Sequence, residues 1–470
     1  MTSQPKTLFL KLVLPLAVFA AVLLMPTPEG LTVEGQRALA VMALAVVLWA
    51  TEALPIAVTG IVGVVLLVLV NAVPDVEAAL FGFSQPVPYF LIGILTLGLA
   101  VQRSGLAERM AVYMIRLAGG SSRALYGQML FSFAALTFAL PSASTRGAIM
   151  VHVYEQVMTH WRVPQEAPLH KAIMMAMGAL NRLGSTALLA GGITPIVASS
   201  LIGELTGEGF SWTRWFVLMA LPFYSVLLVG GAVVYVAYRS GFRLENVVDV
   251  SSMTTTGPLR LPEIKAALIA LGTALLWFTD FAHGLAPTVP ALIAMAIILL
   301  PGIGLLTWED LERDLGWSNF FVIATSLSLA NAIIASGAAA WFADTMVGSV
   351  EGLRGSPTLV LLAIAGASSV VRMLMPNISG YLAFIIPVAM STGASLGLNP
   401  LVVGLAVVIV GDSVVFYPAG GAASVFIFQR ANLRSPEIFR LGLVMTVVAI
   451  AVLFAIVLPY WRLVGESLTG

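Results

Sequence analysis

Pro141-Ser142-Ala143-Ser144 returns as Pro376-Asn377-Ile378-Ser379, 235 residues further on (376 − 141), and each copy lies inside a strongly apolar region. Proline breaks or kinks a helix, because it lacks an N–H and its ring clashes with the preceding turn. Hydroxyl and amide groups beside such a break are costly in lipid. They are tolerated where the backbone is buried in protein or lines a cavity. Two such breaks in corresponding halves of one chain point to a transporter binding site.

A membrane setting follows from the composition. The 470 residues are 59% hydrophobic and 10% charged, with a mean hydropathy of +0.99. A soluble domain carries about 25% charged residues. Apolar runs recur at 8–24, 38–49, 56–70, 266–277, 359–370 and 441–458. With near 20 residues per crossing and about 1.5 Å rise per residue, roughly eleven transmembrane helices plus re-entrant pieces fit the chain. The expected fold is an all-α integral membrane protein. Zero net charge removes the electrostatic case for nucleic acid. The absence of cysteine excludes disulfides and thiolate metal sites.

Residues 1–30 read as a retained first helix rather than a signal peptide, since the apolar run lacks a small-residue cleavage site and many similar runs follow. Basic residues mark cytoplasmic segments. They are Lys6 and Lys11 at the N-terminus, Arg103, Arg109, Arg116 and Arg123, and then Arg239, Arg243, Arg260 and Lys265. The loop at Asp75 and Glu77 has no basic residue and reads as external. This places the N-terminus inside the plasma membrane and the C-terminus outside.

The repeat extends beyond the opening pair. Leu48-Trp49-Ala50-Thr51-Glu52 resembles Leu276-Trp277-Phe278-Thr279-Asp280 at an offset of 228 residues. Ser104-Gly105-Leu106-Ala107 resembles Ser336-Gly337-Ala338-Ala339 at 232, and Ala190-Gly191-Gly192 matches Ala419-Gly420-Gly421 at 229. Four matches in one order divide the chain into repeat 1 (31–239), a cytoplasmic connection (240–261) and repeat 2 (262–470). An odd number of spans per repeat would invert the second half against the first, a common transporter plan.

Trp49-Ala50-Thr51-Glu52-Ala53-Leu54-Pro55-Ile56-Ala57-Val58-Thr59 resembles the early signature of the divalent anion:sodium symporters, the INDY-type dicarboxylate, citrate and sulfate transporters. That family carries a Ser-Asn-Thr triplet at the tip of a re-entrant hairpin in each half. Ser142-Ala143-Ser144 and Asn377-Ile378-Ser379 stand in those places. Gly184-Ser185-Thr186-Ala187, Gly191-Gly192-Ile193-Thr194-Pro195, Tyr417-Pro418 and Gly420-Gly421-Ala422-Ala423-Ser424 resemble later family segments. The resemblance implies substrate contacts at Ser142, Ala143, Ser144, Asn377, Ile378, Ser379 and Pro418. It implies sodium contacts around Ser142, Gly184, Thr186 and Asn377; by their own chemistry Thr145 can join them and Asp412 can hold a cation or a proton. It further implies a scaffold and a transport domain, elevator-like motion and a homodimer. Both triplets lack the central asparagine, with Ala143 and Ile378 in its place, which implies altered ion or substrate chemistry.

The residues themselves support related chemistry. A helix broken at midplane frees carbonyls for a cation, and its half-helix N-termini offer a positive dipole end to an anion. Ser142, Ser144, Thr145, Asn377 and Ser379 can serve either role, or they simply let helices pack closely. Arg146, Arg182, Arg372 and Asp412 are intramembrane charges, each a functional hypothesis by default. Arg372 lies four residues before Pro376. Its guanidinium can replace a cation or hold an anion directly, or it forms a structural pair with Asp412, as Arg182 also can. Glu52 and Asp280, at matching repeat positions, read as helix-end caps, with a coupling role as the alternative. His152, Glu155, His160 and His170 read as a segment near the membrane surface. No glycine-rich phosphate loop, metal-ligand cluster or catalytic motif is recognisable.

These readings converge on a secondary active transporter of small divalent anions. A C4-dicarboxylate is the first expectation and sulfate the next, with sodium coupling. The alternatives are a proton-coupled or exchanging carrier and, in a different class, a passive anion channel. No cofactor is expected beyond possible sodium ions.

Overall fold

The structure is a computed structural model. It describes residues 5–116, 121–140, 142–243, 257–302, 304–350, 355–375, 377–417 and 422–469. Of the residues singled out above, Pro141, Pro376, Pro418 and Ala419-Gly420-Gly421 lie outside the described residues. Among the described residues the chain is all-helical, with one isolated bridge between Leu398 and Thr469. Eight helices among the described residues are long and apolar enough to cross a membrane, and five shorter apolar helices accompany them there.

The first half runs α1 (Pro5–Leu24), α2 (Val33–Thr51), α3 (Ile56–Leu69), α4 (Pro86–Arg103), α5 (Leu106–Arg116), α6 (Ser122–Ala135), α7 (Ala143–His160), α8 (Pro168–Thr186), α9 (Ile193–Thr206) and α10 (Trp212–Ala237). The second half runs α11 (Leu261–Phe278), α12 (Thr288–Leu299), α13 (Ser318–Ala335), α14 (Ala338–Val350), α15 (Pro357–Leu374), α16 (Ile378–Ser395), α17 (Pro400–Asp412), α18 (Ala422–Arg430) and α19 (Ser435–Leu463). Helix starts recur in the same order: α11 begins 228 residues after α2, α13 232 after α4, α16 235 after α7 and α18 229 after α9.

Local signals set these boundaries. Thr32, Ser211 and Asn399 cap α2, α10 and α17 with side-chain oxygens that accept backbone N–H groups. Such caps satisfy donors that a helix start leaves orphaned. Trp49 near the end of α2 donates its indole N–H to Ile56 O at 3.2 Å, and Trp277 near the end of α11 donates to Pro287 O at 3.0 Å. The two tryptophans stand at the repeat offset and tie each of these helices to the backbone of the next segment.

The halves interlock by exchanging partners. Helix α7 packs on α18 of the other half, and α16 packs on α9. Helix α8 likewise meets α18, while α17 meets α9. Small residues permit other close approaches. A Cβ on Gly184 in α8 would lie 2.2 Å from Phe133 O of α6, and one on Gly380 in α16 would lie 2.4 Å from Cε3 of Trp49.

Candidate functional site

Both helix breaks end in a side-chain cap. Ser142 caps α7, its hydroxyl accepting from Thr145 N at 3.2 Å. Asn377 caps α16, its Oδ1 accepting from Ser379 N at 3.0 Å. The polar tip residues are therefore partly consumed in starting helices. Ala143, Thr145 and Ile378 are half-buried, Ser144 is exposed and Ser379 is buried.

Arginine holds each break. Arg146, one turn into α7 and fully buried, donates through Nη1 to Leu140 O at 2.9 Å, the carbonyl just before the first break. Its Nε donates to Asn181 Oδ1, and its Nη2 to Asn181 O and Ser185 Oγ, each at 2.7 Å. Asn181 Nδ2 returns a bond to Ala143 O at 2.8 Å. The first tip is thus fastened to the last turns of α8. Buried charge is costly unless its hydrogen bonds are met, and four of the guanidinium's five donors are engaged here.

The second break uses the same device from the opposite helix. Arg372, in the last turn of α15, donates to Met375 O, the carbonyl just before Pro376. Its Nε donates to Gly411 O of α17 at 2.9 Å. Its Cζ also lies 5.9 Å from the centroid of the Tyr381 ring, within cation–π range. At the 235-residue offset Arg146 corresponds to Tyr381 and Arg372 to Thr137. Each tip carries one guanidinium, but not at equivalent positions.

A third arginine joins the two. Arg182 in α8 donates through Nη2 to Asp412 O and Val414 O, 2.5 Å each, at the end of α17. The same nitrogen stands 3.5 Å from Asp412 Oδ1. The Asp412 carboxylate, 1% exposed, also accepts from Thr186 Oγ1, and from Thr194 Oγ1 at 3.3 Å. The three arginines form a series. Arg146 links the first tip to α8, Arg182 links α8 to the end of α17, and Arg372 links that end to the second tip.

Other expected residues have different surroundings. Thr186 faces Asp412, whereas Gly184 serves the close approach of α8 to α6. Glu52 is exposed and left-handed, with φ 48°, at the end of α2. Asp280 reaches the first turn of α10, accepting from Thr213 N at 3.1 Å and Thr213 Oγ1 at 2.7 Å. His152 is exposed beside Gln156, and Glu155 pairs with Arg430 at 2.7 Å. Asn181, Ser185 and Ser413 belong to the site although the sequence reading did not single them out. Its place directly before Arg182 in α8 was the available signal for Asn181.

The profile of the sodium:sulfate symporter transmembrane region matches residues 6–466. The chain belongs to that family. Family members are membrane transporters rather than enzymes, and this chain is a multi-pass membrane protein of the same kind. It is similar to the putative malate transporter YflS of Bacillus subtilis (strain 168), with 23% identity over 97% of this chain and 96% of that protein. It is similar to the citrate/succinate antiporter of Escherichia coli (strain K12), with 22% identity over 96% of this chain and 98% of that protein. The L-tartrate/succinate antiporter of Shigella boydii serotype 4 (strain Sb227) is 23% identical over 96% of this chain and 97% of that protein. Among solved structures, the Alcanivorax borkumensis YdaH transporter shares the fold at a TM-score of 0.55 and 15% identity, covering 82% of this chain and 86% of that one.

Proposed function

We propose that this family member exchanges small divalent anions across the plasma membrane, a C4-dicarboxylate such as succinate or malate first and sulfate next. One observation carries the reading. Arg146 and Arg372 each hold one helix break, and Arg182 joins their partner helices beside one carboxylate, Asp412, a formal excess of two positive charges. Uncompensated charge inside a membrane protein is expensive. A bound dianion cancels that excess, so the carrier is neutral when loaded and charged when empty. A carrier of this kind crosses loaded in both directions, which is exchange.

The arginines also bear on coupling. Sodium would bind the carbonyls freed at the breaks, yet Leu140 O, Met375 O and Gly411 O already accept guanidinium N–H groups. Fixed cations thus supply the charge that bound sodium would bring. Two of the relatives named above are antiporters, which agrees with exchange. Sodium-coupled symport is the second reading. It is favoured by the oxygen-rich group of the Asp412 carboxylate and the Thr186 and Thr194 hydroxyls, since sodium prefers hard oxygen ligands.

The same proposal includes inverted repeats over 31–239 and 262–470 joined by 240–261. The exchange of partners between halves supports it. It includes two re-entrant hairpins, built from α6–α7 and α15–α16, in a transport domain that moves elevator-like against a scaffold. The homodimer and the cytoplasmic N-terminus with an outside C-terminus rest on the family resemblance and on the distribution of basic residues.

Proteoliposomes test the function. Radiolabelled succinate, sulfate or citrate is offered outside, with or without unlabelled dianion inside, under imposed sodium or proton gradients. Exchange predicts uptake only into preloaded vesicles and no response to sodium. Sodium-driven uptake into empty vesicles would replace exchange with symport. No uptake under any gradient would overturn both readings.

A further inference from the structure

Buried polar atoms are almost always hydrogen-bonded, so each exception calls for a physical reason. Among the described residues eight buried side-chain atoms lack a partner. Three of them, Arg182 Nε, Asn377 Nδ2 and Ser413 Oγ, belong to the series of residues that joins the two tips. We propose that these three donors receive one oxyanion head, carboxylate or sulfate, of the transported dianion. The inference rests on the anion-carrier reading and adds the atoms that grip the substrate.

The three are tied to one place by the bonds around them. Arg182 Nη2 holds the carbonyls on either side of Ser413, those of Asp412 and Val414. Arg372 holds Gly411 O and Met375 O, each two residues from Ser413 and Asn377 respectively. One guanidinium therefore bridges the segment bearing Ser413 to the segment bearing Asn377.

Ser413 is 1% exposed and follows directly on the last residue of α17. Three buried hydroxyls in other helices behave differently. Thr273, Ser369 and Thr392 each donate to the carbonyl four residues earlier, at 2.8 Å. The Ser413 hydroxyl makes no such bond.

The chemistry of the set selects an anion. Arg182 Nε and Asn377 Nδ2 can only donate, and a hydroxyl can donate, so a cation finds no required acceptor here. The amide orientation of Asn377 follows from its cap, because Oδ1 must accept from Ser379 N, leaving Nδ2 free. Arg182 Nη2 is already committed to two carbonyls, so Nε meets the anion without the bidentate fork that Nη2 would complete. Ser413 and Asn377 complete the contact. All three atoms are sealed from water, so the anion reaches them when a tip opens.

Two substitutions separate binding from architecture. Ser413→Ala removes an unpartnered hydroxyl, which a purely structural role predicts to be neutral or stabilising. Asn377→Asp keeps an oxygen to cap Ser379 N, and a carboxylate is favoured at a helix N-terminus, but it replaces the free donor with negative charge. In exchange assays on reconstituted protein, both variants should raise KM for succinate or sulfate about tenfold or more, a change of about 1.4 kcal/mol. The melting temperature of the unliganded protein should stay level or rise. Separate succinate and sulfate arms report which head the site prefers. Thermal stabilisation of purified wild type by each anion is read alongside transport. Stabilisation lost in both variants supports the site even if wild type fails to exchange, an outcome that would remove the function alone. KM and stabilisation within twofold of wild type in both variants overturn the site alone. No stabilisation and no transport by wild type overturn both.

Discussion

Arg182 and Asp412 are 230 residues apart in sequence and face each other across the two halves, guanidinium Nη2 to carboxylate Oδ1, at 3.5 Å. The pair is buried on the aspartate side and nearly so on the arginine side, with side-chain exposures of 2% and 16%. A buried pair adds little net stability, whereas removing one partner leaves an uncompensated charge at a cost of about 3–5 kcal/mol. Asp412→Asn alone should therefore sharply lower folded yield and melting temperature. Arg182→Gln should do the same, and the double variant should recover most of the loss. A double-mutant cycle on melting temperature checks this, and additive losses would refute the coupling.

Arg146 supplies the second expectation. Its removal would free Leu140 O, Asn181 O and Asn181 Oδ1 in one buried spot. Freed carbonyl and amide oxygens suit a hard monovalent cation. Arg146→Ala should thus melt well below wild type in choline chloride and regain part of that loss in sodium chloride. Wild type should melt at the same temperature in both salts. A variant indifferent to sodium would show that the guanidinium occupies no latent cation site.

The candidate residues were more legible in the sequence than the contacts among them. Arg146, Arg182, Arg372 and Asp412 were legible because a charge amid apolar residues is rare. The breaks were legible because proline and small polar residues interrupted otherwise continuous apolar runs. Pairing was not legible. Arg182 and Arg372 were both open partners for Asp412, and the choice depends on how α8 and α17 end against each other, a tertiary fact. Ser413 and Asn181 left little trace, since small polar residues are ordinary in membrane helices. The number of crossing helices was also hard to read, because broken elements such as α17 and α18 divide one apolar stretch into two short helices.

Gly380 makes a packing claim that can be measured. A Cβ there would stand 2.4 Å from Trp49 Cε3 and 2.9 Å from Cζ3, so the indole lies directly on the α16 backbone. Trp49 is 2% exposed and anchored by its bond to Ile56 O, so it has little room to withdraw. Overpacking of this kind costs about 1–3 kcal/mol. Gly380→Ala should lower the melting temperature and slow exchange, because the contact joins α2 to the helix behind the second tip. Trp49→Phe in the same chain should restore part of the stability by opening space. Gly380→Ala with unchanged melting and exchange would mean that the indole moves aside freely.

Asp280 offers a test in pH. It is 5% exposed and lies between α11 and α10. Burial pushes its carboxyl up, but hydrogen bonds from Thr213, Trp212 and Ser211 outweigh that and hold its pKa below the ordinary aspartate value. A carboxylate whose pKa is lowered by folding stabilises the fold above its unfolded pKa. That contribution is lost as pH falls through the folded value. Hydrogen bonds to a charged acceptor are worth about 1.5–3 kcal/mol. Asp280→Asn should therefore melt below wild type at neutral pH. The gap should persist on mild acidification and close only below the usual aspartate range, where wild type also loses its charge. A gap that widened on acidification would show that the carboxylate destabilises this junction and that Thr213 is held by something else.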